Sequence, residues 1–78
     1  MPTVQFPWDA QLVNIRREVC PFAAWDAPTS GWVMTSDDAQ AFLNAAQARM
    51  FFSRCSCTIS IDSTVWVVGF KRGTPYRL

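Results

Sequence analysis

Two indoles, Trp25 and Trp32, stand seven positions apart around the turn-rich segment Ala27-Pro28-Thr29-Ser30-Gly31. Residues of this kind do binding chemistry. An exposed indole gives a base a flat partner to stack on, a contact worth roughly 1–3 kcal/mol per base. The same pair also suits the cross-strand anchors of a hairpin, each burying a large area. Trp8 and Trp66 complete a set of four, and four indoles are hard to hide in a domain of 78 residues. Tryptophan is rarely fully buried, so at least one exposed ring is expected. The cations fall beside aromatics: Lys71, Arg72 and Arg77 interleave with Phe70 and Tyr76, while Arg16 and Arg17 follow one another earlier in the chain. A groove for single strands has this composition, with charge tracking the backbone and rings taking the bases. A solvated chain terminus has it too.

Catalytic chemistry finds little support. The chain has no histidine, so a general base near neutral pH must be a tuned carboxylate or a thiolate. Asp9, Asp37 and Asp38 sit where helices begin, Asp26 and Asp62 open turns, and Glu18 stands alone on a helix. With only three glycines there is no loop to cradle a phosphate. Cys55-x-Cys57 brings two thiols to one strand face, and a four-ligand metal site would need Cys20 and a carboxylate as well. Free cysteines packed as small hydrophobes explain all three more simply. The expectation is a protein that is not an enzyme and has no cofactor and no metal.

Composition bounds the rest. Half the residues are apolar, enough for one core, and 78 residues make a single domain spanning 1–78. Seven basic residues against six acidic give a net charge of +1, which excludes coating nucleic acid by bulk electrostatics and leaves room for a local patch. Met1 to Gln5 lacks a charged leader with an apolar stretch behind it, and the uncharged run from Cys55 to Ile61 is far too short to span a bilayer. Three cysteines are an odd number and too few for a disulfide scaffold. A cytoplasmic protein with reduced thiols and no membrane partner is expected.

These residues need elements to position them. Val4 and Phe6 share one face of a strand over Thr3 to Pro7. Asp9 caps a helix from Ala10 to about Cys20, with Leu12, Ile15 and Val19 as its buried stripe and Arg16 and Arg17 beside it. Pro21 ends that helix. Short strands over Ala23–Asp26 and Gly31–Thr35 flank the turn, where Pro28 supplies a fixed φ and Gly31 a permissive one. Thr35-Ser36-Asp37-Asp38 starts a second helix, running from about Asp37 to Met50. It buries Ala39, Phe42, Leu43, Ala46 and Met50 and keeps Gln40, Asn44, Gln47 and Arg49 on a polar side. Phe52 to Ile61 alternates as a strand with Cys55, Cys57, Ile59 and Ile61 on one face. Asp62-Ser63 turns the chain into an apolar strand, Val65 to Phe70. The order β-α-β-β-α-β-β predicts an α+β fold: a mostly antiparallel sheet with two helices packed on one face. The helix-free face is then expected to carry the rings and cations.

With these motifs in place the chain resembles a family. Phe6-Pro7-Trp8, a helix, the spacing aromatic-Asp-x-x-Thr-x-x-Trp at Trp25-Asp26-Ala27-Pro28-Thr29-Ser30-Gly31-Trp32, and the acidic helix start Asp37-Asp38 are similar to the HARP (HepA-related protein) domain of annealing helicases and its short bacterial relatives. The resemblance covers roughly the first 45 residues. It implies a domain that engages branched or single-stranded DNA.

The expected function is therefore a small binding module. Its partner is nucleic acid or a nucleic-acid-processing protein complex, and Trp25, Trp32, Arg16, Arg17, Lys71, Arg72 and Arg77 make the contact. The alternative is a protein–protein interaction module, such as a phage- or plasmid-encoded inhibitor of a host complex that targets nucleic acid, because Trp, Tyr and Arg also dominate protein interfaces. Homodimerisation through the open sheet face or an edge strand is the third expectation.

Overall fold

The computed structural model describes residues 1–50, 56–69 and 75–78. Within them the chain runs β1 (Thr3–Gln5), α1 (Ala10–Val19), β2 (Ala24–Asp26), a 3-10 turn (Ala27–Thr29), β3 (Gly31–Val33), α2 (Ser36–Arg49), β4 (Cys57–Ile61), β5 (Thr64–Val68) and β6 (Tyr76–Arg77). The six strands form one antiparallel sheet in the order β2-β3-β1-β4-β5-β6. This is the α+β class expected from the order of elements. The tail, expected as a turn followed by a short extended end, pairs with β5 as a sixth strand. The expected strand positions 52–55, with Cys55, and also Phe70, Lys71 and Arg72, lie outside the described residues.

Both helices begin where their caps dictate. The Asp9 carboxylate accepts from the N–H groups of Gln11 (2.9 Å) and Leu12 (3.2 Å), two of the donors that a first helical turn leaves open. The Thr35 hydroxyl does the same for Asp38 N–H at 3.1 Å. Before Pro21, Cys20 leaves the helical region at φ −126°, ψ 62°, and α1 stops. The helices pack together over one face of the sheet. Val4, Leu12, Ile15, Phe42, Leu43, Ile59 and Val68 are the centre of the core. Phe6 stacks on Phe42 with ring centroids 5.2 Å apart.

Gln47 departs from the expected polar side of α2. It is buried at 4% exposure, and its Oε1 accepts from Gly69 N–H at 3.1 Å. Position 47 lies one residue beyond Ala46 and eight beyond Ala39, inside the apolar stripe; a long amide takes that place because Gly69, at φ 95°, leaves the strand and turns its N–H inward.

Register decides which side chains share a face. Val4 pairs with Trp32 and with Ile61, Trp32 pairs with Trp25, and Ile59 pairs with Trp66. All of these residues therefore point to the helix side with the buried Val4. The opposite face presents Thr3, Gln5, Thr58 and Ser60 alongside Val33, Val65 and Tyr76. The expectation that rings and cations share the helix-free face is corrected here. The indoles of Trp25, Trp32 and Trp66 stand on the helix side, where the pairing register puts them.

Candidate functional site

The site begins in the β2–β3 hairpin. Thr29 Oγ1 donates to the Asp26 carboxylate at 2.6 Å, and it also lies 3.3 Å from the Asp26 carbonyl oxygen. This pair closes a 3-10 turn with Pro28 in its first positions and Ser30 in the left-handed region at φ 53°, ψ 43°. Asp and Thr three residues apart thus shape the turn, and the two indoles on either side fall opposite one another in register. Gly31 is not the residue with positive φ; Ser30 is. Gly31 instead lets β3 approach β1: a Cβ there would lie 2.7 Å from Thr3 Cγ2, 2.9 Å from Gln5 Cγ and 3.1 Å from the Val4 carbonyl oxygen. Gln5 Nε2 donates to the Thr29 carbonyl, tying the turn to β1 as well.

On this support Trp25 and Trp32 meet edge to face, centroids 5.3 Å apart and planes at 65°. Trp32 is half-buried against the core, and Trp25, on an edge strand, is 56% exposed. The Arg16 guanidinium lies 3.9 Å from the centroid of the Trp32 ring, a cation–π contact between α1 and β3. Its Nη1 donates to the Cys20 carbonyl at 3.4 Å, which fixes the guanidinium at the end of the helix. Its Nε–H is buried with no acceptor among the described residues.

Beside this contact opens a groove of about 230 Å³ lined by Phe6, Trp8, Val13, Trp25, Ser30 and Trp32. Trp8 is 83% exposed between the end of β1 and the start of α1. Arg17 is exposed one helical turn from Val13 on α1. Of the expected site residues, the fold brings together Trp25, Trp32 and Arg16. Sequence reasoning named Trp8 only as a further indole and did not see Phe6 or Val13 as lining. Val13 lies three residues before Arg16, so the helical period was the signal that links them.

Arg77 is elsewhere. It pairs with Trp66 across β5 and β6, and both line a second cleft of about 310 Å³ beside Ser36, Gln40 and Leu43 of α2. Arg49 forms an ion pair with Glu18. Lys71 and Arg72 lie outside the described residues, so the expected cation cluster is represented by Arg77 alone.

Cys20 is buried, and its Sγ donates to the Asp38 carbonyl at 3.3 Å. Burial pushes this thiol above its ordinary value, reinforced by the Asp38 charge and opposed by Arg16. A thiol held protonated is a poor nucleophile and a poor metal ligand. Among the described residues no three side chains of His, Cys, Asp or Glu gather as a metal site, and no helix is long and apolar enough to cross a membrane. Comparison with protein families, with curated proteins and with solved structures gives no match to this chain.

Proposed function

We propose that this protein is a non-catalytic binding module that engages single-stranded or branched DNA through the groove between α1 and the β2–β3 hairpin. One observation carries the reading: an indole 56% exposed, Trp25, is held in a fixed orientation by Trp32, whose ring is in turn held under a guanidinium. An oriented aromatic face beside a cation is what a stacked base and its phosphate require. The resemblance of the first 45 or so residues to the HARP domain supports the same reading, since its aromatic-Asp-x-x-Thr-x-x-Trp spacing is the hairpin that carries both indoles. A cytoplasmic setting belongs to the proposal and suits the free thiol of Cys20.

Fluorescence anisotropy with a labelled single-stranded oligonucleotide and with a fork, at low salt, tests it. Trp25→Ala weakens binding by about 5- to 150-fold, the equivalent of one lost stacking contact. Unchanged affinity in that variant overturns the reading.

A second reading has its own support. Trp8 and Phe22, exposed at 83% and 93%, are large apolar side chains of the type that anchor protein interfaces. A protein partner, such as a host complex that targets nucleic acid and is inhibited by a phage- or plasmid-encoded module, is the outcome to pursue when neither probe binds at low salt.

A further inference from the structure

The groove has features that specify its occupant further than a strand of DNA. We propose that it holds one unstacked base, with Arg17 on an adjoining phosphate; this rests on the DNA-binding reading above.

Size is the first argument. At about 230 Å³ the groove is smaller than the roughly 300–1,000 Å³ of sites that enclose a drug-sized ligand. It suits a single ring system. Lining is the second. Rings of Phe6, Trp8, Trp25 and Trp32 come from three places in the chain, and Ser30 is the one hydroxyl among the lining residues. Such walls contact the faces of a base and read little of its edges, which is the chemistry of sequence-tolerant stacking. The planes of Trp25 and Trp32 lie at 65°, so they do not form a parallel platform for a run of stacked bases. A base turned out of its stack fits this shape; a continuous stack does not.

Charge is the third argument. An aromatic slot can also attract a cation, but here Arg16 already occupies one face of Trp32 and repels a second positive group. The nearby carboxylates keep their charge and are held in place by hydrogen bonds. Asp9 accepts from the first turn of α1, and Asp26 accepts from Thr29 with its strand position on the opposite face of the sheet. The cations on this side of α1 are Arg16, in contact with the slot, and Arg17, exposed one helical turn from Val13. They complement a phosphate. The lining offers the Ser30 hydroxyl and indole N–H donors with nothing that singles out a 2′-hydroxyl, so it gives no reason to prefer RNA.

The test uses the full chain and three duplexes: fully paired, with one extrahelical adenine, and with an abasic site at the same bulge. Anisotropy gives affinity, and quenching of indole fluorescence reports stacking. The adenine bulge should bind about tenfold tighter than the abasic bulge and quench the indoles. Val13→Trp, which fills the groove and keeps every native indole, removes that preference; its fold is checked by circular dichroism. Trp8→Ala changes a side chain that is mostly in solvent, and it lowers the preference without disturbing the core. Equal affinity for the adenine and abasic bulges, with single-stranded binding retained, overturns the one-base groove and leaves the DNA reading standing. Absence of binding to every DNA probe at low salt overturns both. A counterpart bulge in RNA binds no tighter, and clearly tighter binding there overturns the choice of DNA.

Discussion

At the scale of single residues, the site depends on side chains whose chemistry is modest and whose placement is strict. Gly31 shows this best. Its backbone needs no unusual φ, but the approach of β3 to β1 leaves no volume for a methyl group. Thr3 Cγ2 and Gln5 Cγ are side-chain atoms that a shift can relieve; the Val4 carbonyl oxygen is held in the sheet. Gly31→Ala should therefore destabilise the protein by about 1–3 kcal/mol, the usual cost of an overpacked site. Urea unfolding with an unchanged m-value measures it, and a change below about 0.5 kcal/mol would show that β1 yields freely. The sequence marked Gly31 as a special position for the wrong reason. A turn-rich segment suggests positive φ, and the residue that adopts it is the neighbouring Ser30. Close approach between strands distant in sequence leaves no mark on local residue types.

Elements were legible where one period governed them. The stripe Ala39, Phe42, Leu43, Ala46 and Met50 predicts the buried face of α2, and all five are buried. Asp9 and the segment Thr35-Ser36-Asp37-Asp38 predict helix starts; Asp9 accepts the expected backbone hydrogen bonds, and of the two hydroxyls in that segment Thr35 is the cap, with α2 starting at Ser36. Gln47 was hidden because residue type outvoted position: an amide reads as surface, while its place in the 3.6-residue period is core. Gln47→Leu keeps the volume and removes the acceptor for Gly69 N–H, so a buried donor is left alone. A loss of about 1–3 kcal/mol is expected. Amide hydrogen exchange distinguishes the cause, because the Gly69 N–H should lose protection well before the amides of α1. If Gly69 protection is unchanged, the hydrogen bond is not what secures the end of β5 to α2.

The faces of the sheet belong to the whole molecule, and they were the least legible feature. Alternation along a strand says which residues share a side; only the register between strands says which side the helices cover. The pairings Val4 with Trp32 and Trp32 with Trp25 turn the indoles toward α1, and from that single fact the groove follows. Charge has to be read at the same scale. A protein of net charge +1, with Arg49 held by Glu18, has few cations left for phosphates. Its affinity for single strands should rest on stacking more than on counterion release. For two to four phosphate contacts, the slope of log K against log salt concentration is about −1.4 to −2.8. Arg17→Ala should flatten it by about 0.7, one phosphate contact for a single strand, while Trp25→Ala lowers affinity with the slope unchanged. Lys71→Ala with Arg72→Ala should flatten it by about 1.4, two phosphate contacts. A wild-type slope steeper than about −4, or one that Trp25→Ala flattens, would assign the binding to diffuse charge and remove the groove from it.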